Sequence, residues 1–204
     1  MPSIINNTYF VNDLEIPKAI AQPSIGLNTP TATQSITDCI AYTEKDVLLR
    51  ALGFTLYNEL QTALPIIDGS LQKWKDLVNG VGKWEGLNNS KSLLAYATYY
   101  NYLLRQSDYW ATTGVVKAES ANATNVTPAY KLAYANQVFI NKYQGENCKH
   151  PYFANGIGWE YKDWYGTENE EQLNLYTYLR DNSELYGWEA SKFRFFETVN
   201  TFGL

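Results

Sequence analysis

S-L-L-A-Y-A-T-Y-Y-N-Y-L-L-R, residues 92–105, places Leu93, Ala97, Tyr100 and Leu104 at spacings of four, three and four, which puts them on one face of a helix. Tyr96, Tyr99 and Tyr102 widen that stripe beyond what one core needs. Such a helix is expected to lie sandwiched between others, its phenol tips at partly wet interfaces. Downstream, Thr127-Pro128 reads as an N-cap followed by a first-turn proline. The helix it opens carries Tyr130, Tyr134, Val138 and Asn141 on one face and Leu132, Ala135 and Phe139 on another. The segment between, A-T-T-G-V-V-K-A-E-S-A-N-A-T-N-V-T-P at 111–128, has no helical period and is too polar for a core strand. Neighbouring helices in a bundle need only about two to eight connecting residues, so the excess calls for a role. Val115 and Val116 are β-branched and Gly114 admits unusual backbone angles. The segment is therefore expected to be extended and to reach an adjacent copy through Thr113, Gly114, Val115, Val116 and Lys117. A plain surface loop is the competing reading.

Working outward, residues 1–32 hold Pro2, Pro17, Pro23 and Pro30 among short apolar fragments such as Ile4-Ile5 and Tyr9-Phe10-Val11. Frequent proline forbids a long helix, so this is expected to be an extended N-terminal arm that docks on something. From Thr33 the pattern is helical, with Ile36, Ile40, Val47 and Ala51 on one face and a break at Gly53. Phe54, Tyr57, Leu60 and Leu64 then keep a second helical register up to Pro65. Asp68 or Ser70 is expected to cap a short helix carrying Leu71, Trp74, Leu77 and Val78, closed by Asn79-Gly80. V-G-K-W-E-G-L-N-N-S reads as a loop or small hairpin. The insert at 145–166 is rich in glycine and aromatics, and is expected to be a structured loop with adhesive faces at Trp159, Trp164 and Tyr165. Residues 167–185 read as helix again, with Thr167 as cap, Glu168, Glu170 and Glu171 at its positive end and Gly187 as its break. The tail 191–204 is expected to add a helical turn or a strand. The fold expected is mainly α, one domain spanning 33–204, with an extended inter-helix segment and an aromatic insert.

The 204 residues carry a net charge of -5 and no run of Lys or Arg, which argues against a phosphate-gripping surface. Two cysteines, Cys39 and Cys148, are too few for a disulfide framework and point to a reduced compartment. No apolar run approaches the roughly 20 residues of a membrane span, and the N-terminus lacks the regions of a signal peptide. The sequons starting at Asn6, Asn88, Asn122 and Asn125 read as chance in an Asn-rich chain. Seventeen tyrosines and six tryptophans stand against one histidine. Histidine serves catalysis, whereas tyrosine and tryptophan serve interfaces, so the composition leans towards binding.

The single histidine, His150, lies in C-K-H-P beside Cys148, and two such ligands do not make a zinc site. Glu168, Glu170 and Glu171 are explained as a solvated helix start. With no phosphate loop, nucleophile elbow or H-E-x-x-H, the expectation is no catalytic residue, no metal and no cofactor. Trp159, Trp164 and Tyr165 also fit an alternative, a monomeric aromatic-rich binding module for carbohydrate or peptide.

The succession A-L-G-F-T-L-Y-N-E-L (51–60), W-K-D-L-V-N-G (74–80), W-E-G-L (84–87), L-L-A-Y-A-T-Y-Y-N-Y-L (93–103) and T-T-G-V-V-K-A-E-S-A-N-A-T-N-V-T (112–127) resembles the head-completion, or head-to-tail connector, proteins of tailed phages of Bacteroidetes-type hosts, including crAss-like phages. The similarity covers about residues 33–145, and the ending N-T-F-G-L, with Phe202 and Leu204, also resembles that family. The arm and the aromatic insert have no counterpart in it. The resemblance implies a bundle of about four or five helices without catalytic residues that assembles into a ring, commonly dodecameric, between portal and tail. It would sit in the virion at the head–tail interface, be assembled in the host bacterial cytoplasm, and pass DNA through its bore without sequence-specific binding.

Overall fold

The computed structural model describes residues 2–16, 32–107, 109–111, 114–116, 129–145, 165–167 and 170–196. The fold is mainly α, as the periodicity requires, and its core is shared by the helices and by the N-terminal segment. Helix α1 (Ala32–Ala63) buries Ile36, Ile40, Val47, Leu48, Ala51 and Leu52 along one side. It is broken at Gly53, whose φ of 72° and ψ of 174° are not helical. This left-handed excursion resets the phase of the face, so Tyr57 and Leu60 remain buried while Phe54 is 75 % exposed and Leu56 turns inward. The sequence register had placed Phe54 inside; the kink is what moves it out.

A 3-10 turn at Leu64–Gly69, with Pro65 in its first turn, leads to α2 (Gln72–Asn79). Leu71, not Asp68 or Ser70, occupies the N-cap and is exposed. The Ser70 hydroxyl instead donates back to the Ile67 carbonyl at 2.8 Å, which takes it away from the helix start. Trp74, Leu77 and Val78 are buried, and Gly80 closes the helix at φ 88°. The peptide that follows is the small hairpin-like turn foreseen, with a bridge between Val81 and Trp84. Trp84 is buried and its indole N–H donates to the Leu77 carbonyl at 3.0 Å.

Helix α3 (Leu93–Ser107) packs against both α1 and α4 (Ala129–Gln144), which is the sandwich its double apolar surface demands. Every residue from Ser92 to Tyr99 is buried. The expected inner stripe holds at Leu93 and Ala97, loosens at Tyr100, and fails at Leu104, which is 42 % exposed because the last turn of α3 runs beyond the core. Helices α3 and α4 are antiparallel: Lys142 meets the Lys91 carbonyl while Tyr134 meets Tyr96. On α4 the burial is asymmetric along the axis. Val138 to Gln144 are all buried, whereas Tyr130 and Tyr134 at the other end are exposed. The proposed cap at Thr127-Pro128 lies outside the described residues.

Two short antiparallel hairpins interrupt the helices, β1 (Tyr109–Ala111) with β2 (Gly114–Val116) and β3 (Tyr165–Thr167) with β4 (Glu170–Gln172). Helix α5 therefore starts at Leu175 and ends at Asp181, capped by Asn174, whose side-chain oxygen accepts the Thr177 N–H at 2.9 Å. The expected helix start at Thr167 is corrected: Thr167 ends β3, and Glu170 and Glu171 belong to β4. Residues paired in a strand ladder have extended backbone, so the helix starts only after β4, where Asn174 supplies the cap. Helix α6 (Ser183–Tyr186) stops at Gly187 in the left-handed conformation, as foreseen. A 3-10 turn, Ala190–Lys192, brings Phe193 to Phe196 back across α1 and α4. Among the described residues no helix is long and apolar enough to cross a membrane.

Candidate functional site

Beyond its apolar core, the bundle is closed by three polar side chains on its inner faces. Glu44 lies on the apolar side of α1, one turn from both Ile40 and Leu48, and accepts the N–H groups of Ile4 and Ile5 at 3.0 and 2.8 Å. Burial pushes its carboxyl up to about 7. Lys142 of α4 is bound to Glu85 at 2.5 Å and to the Lys91 carbonyl at 2.6 Å, which ties the loop before α3 to α4. Burial lowers its pKa and Glu85 opposes that shift. Gln144 clamps Phe196 in both directions, donating to its carbonyl at 2.9 Å and accepting its N–H at 2.7 Å. Beside it the Tyr143 hydroxyl donates to the Arg194 carbonyl at 2.9 Å, and burial raises the phenol's pKa. Neither composition nor motif spacing marks these groups. Their signal was a polar residue at a position where the 3.6 period calls for an apolar one.

The outward-facing chemistry is aromatic. Where α3 finishes and α4 begins, Tyr130 is 81 % exposed and stacks on Tyr134, centroids 6.5 Å apart and planes 15° from parallel. Tyr134 in turn meets the edge of buried Tyr96 at 6.2 Å, which anchors the exposed pair to the core. Leu104 is exposed in the last turn of α3, and the Arg105 guanidinium lies 4.6 Å above the ring of exposed Tyr42. The β1–β2 hairpin follows α3 directly. A second set of exposed apolar side chains, Phe54, Ile66, Leu71 and Leu185, comes from α1, the 3-10 turn, the start of α2 and α6.

Of the residues singled out from sequence, Gly114, Val115 and Val116 form β2, with Val115 opposite Trp110 and Val116 opposite Tyr109. The extended conformation is present, but the ladder partner of this strand belongs to the same chain. The two strands lie close together in sequence, so their pairing closes a shorter loop than capture of a separate copy would. Tyr165 opens β3, paired with Gln172. Thr113, Lys117, Trp159, Trp164, Phe202 and Leu204 lie outside the described residues, as do Cys148 and His150. Trp74, Trp84 and Trp188 are buried in ring contacts, Trp74 edge-on to Trp188 and Trp84 stacked on Tyr178, each at 5.0 Å. They offer no open face to a sugar.

Cys39 is buried, and burial raises its thiol pKa, the opposite of activation. Among the described residues no group of three or more His, Cys, Asp or Glu side chains is placed to hold a metal ion. Compared with protein-family models, curated proteins and solved structures, the chain matches none.

Proposed function

We propose that this chain is a structural virion protein that forms a homo-oligomeric ring, a dodecamer, between the portal and the tail of a tailed phage. It completes the filled head, joins it to the tail or to further connector proteins, and lets DNA pass through its bore without sequence-specific binding. It does so without catalysis, in a virion assembled in the host bacterial cytoplasm. The observation that carries the reading is the exposed Tyr130–Tyr134 stack, in edge contact with buried Tyr96. Tyrosines fixed in this way add contact area at low entropic cost, as protein interfaces require. A closed ring joins two different patches of neighbouring copies. The second set of exposed apolar side chains, Phe54, Ile66, Leu71 and Leu185, is the candidate complement. The ordered resemblance of residues 33–145 to connector proteins supplies the rest of the argument, and the net charge of -5 suits a bore that must not hold phosphates.

The test is size-exclusion chromatography with light scattering on the purified chain, alone and mixed with the portal ring of its own phage. A monomer that joins the portal in a fixed multiple supports the reading. A chain that ignores the portal, and whose deletion leaves infectious tailed particles, removes it.

A further inference from the structure

Residues 2–16 dock without a strand ladder or a long helix of their own, making two 3-10 turns at Asn7–Tyr9 and Asn12–Leu14. Ile4, Ile5, Phe10, Leu14 and Ile16 insert into the shared core, against α1 and α3. Beneath the first of them lies the carboxyl of Glu44, a residue only 4 % exposed. It receives the two consecutive backbone N–H groups of Ile4 and Ile5 and a hydrogen bond from the Ser3 side chain. We propose that the N-terminal arm is a charge-gated latch, closed over Glu44 while that carboxyl is neutral and loosened when it ionises.

The arm's N–H groups bind the carboxylate more strongly than the neutral acid, so the hydrogen bonds favour ionisation. Burial under the arm penalises the charged form and is the larger of the two effects. Lifting the arm admits water to the carboxylate and relieves that penalty. The groups acting on Glu44 are the donors at Ile5, Ile4 and Ser3. From the second segment of α1 the Tyr57 phenol is coupled to it and would be disfavoured as an anion by its charge. From α3, the Tyr99 phenol's pKa is raised by burial and then by the charge of Glu15 in the arm. The arm's hydrogen bonds offset burial of Glu44 only in part, and the docked carboxyl stands at about 7 against an ordinary 4.5. Between these values the docked state holds a proton that the open state has released. Docking therefore weakens as pH rises through that window and levels off above about 7.

The experiment is amide hydrogen exchange at Ile4 and Ile5 in the full chain, corrected for intrinsic rates. The opening constant is expected to rise about tenfold from about pH 6 to about pH 8. Glu44→Gln keeps the acceptor and the shape without the charge, so its opening is expected to be flat over the same range. A wild-type profile that is flat or falls with pH overturns the proposal, and so does a Glu44→Gln variant that keeps the wild-type slope. If that variant does not fold, carboxyl NMR of the wild-type protein decides. A Glu44 titration near neutrality that moves the Ile4 and Ile5 amides supports the latch, and a titration in the ordinary glutamate range overturns it.

Discussion

Lys142 brings an ammonium into the core of α4, and what makes this tolerable is Glu85 at 2.5 Å together with the Lys91 carbonyl. Removing one member leaves the other charge without its partner. Lys142→Ala is therefore expected to cost about 3 kcal/mol in urea denaturation. Pairing Lys142→Met with Glu85→Leu is expected to restore most of that loss, and a double variant as unstable as the single one would show that packing, not charge, is at stake. Leucines on α3 separate in the same way by environment. Leu94 is fully buried, so Leu94→Ala is expected to cost about 2 to 5 kcal/mol, whereas Leu104→Ala, on the exposed last turn, should stay within about 0.5 kcal/mol. Equal shifts in thermal unfolding would contradict that assignment. Periodicity alone had put Leu104 on the inner stripe, because it registers the angle around a helix axis and not the point along the axis where the core ends.

Elements in this chain begin and end on backbone geometry, and two glycines show how differently that constraint acts. At Gly53 a side chain is opposed by the positive φ, while an added Cβ would meet only the Lys192 side chain, at 3.7 Å. At Gly86 the φ is also positive, and a Cβ would fall 2.5 Å from the Gly80 nitrogen and 2.6 Å from the Asn79 carbonyl carbon. The loop between α2 and α3 is folded onto the end of α2 there, with the Leu87 and Asn88 N–H groups both donating to the Val78 carbonyl at 2.9 and 2.8 Å. Gly53→Ala is thus expected to cost about 1 to 3 kcal/mol of strain, and Gly86→Ala distinctly more, because backbone cannot step aside. Comparative melting of the two variants checks the order. The break at Gly53 was legible in the sequence. The close approach at Gly86 was not, since it depends on a carbonyl and an amide that sequence spacing does not bring together.

At the scale of the molecule, the α3–α4 pair is buried at one end and presents aromatic side chains at the other. There Tyr130 and Tyr134 are stacked and Tyr42 lies under Arg105. If this end joins neighbouring copies, Tyr130→Ser with Tyr134→Ser should leave the monomer's unfolding within about 1 kcal/mol of wild type. The same change should abolish incorporation into portal-bound rings, read as co-sedimentation with the portal. Normal incorporation would move the contact elsewhere, first to the Phe54, Ile66 and Leu71 set.

The sequence by itself determined that the chain is mainly helical, that α1 breaks at Gly53, that α3 is covered on more than one side, and that Gly187 ends the last helix. These are local matters of period, φ preference and apolar area, each written within one turn or two of the residues concerned. Only the tertiary structure decided which polar groups were drawn inside. Glu44 is buried because residues 2–16 close over it, Lys142 because Glu85 and the Lys91 carbonyl converge on it, and Gln144 because the tail returns to Phe196. Each of these contacts joins residues about 40 to 60 positions apart. Their partners are set by how the helices pack, so a one-dimensional pattern records the polar residue and not the group that satisfies it.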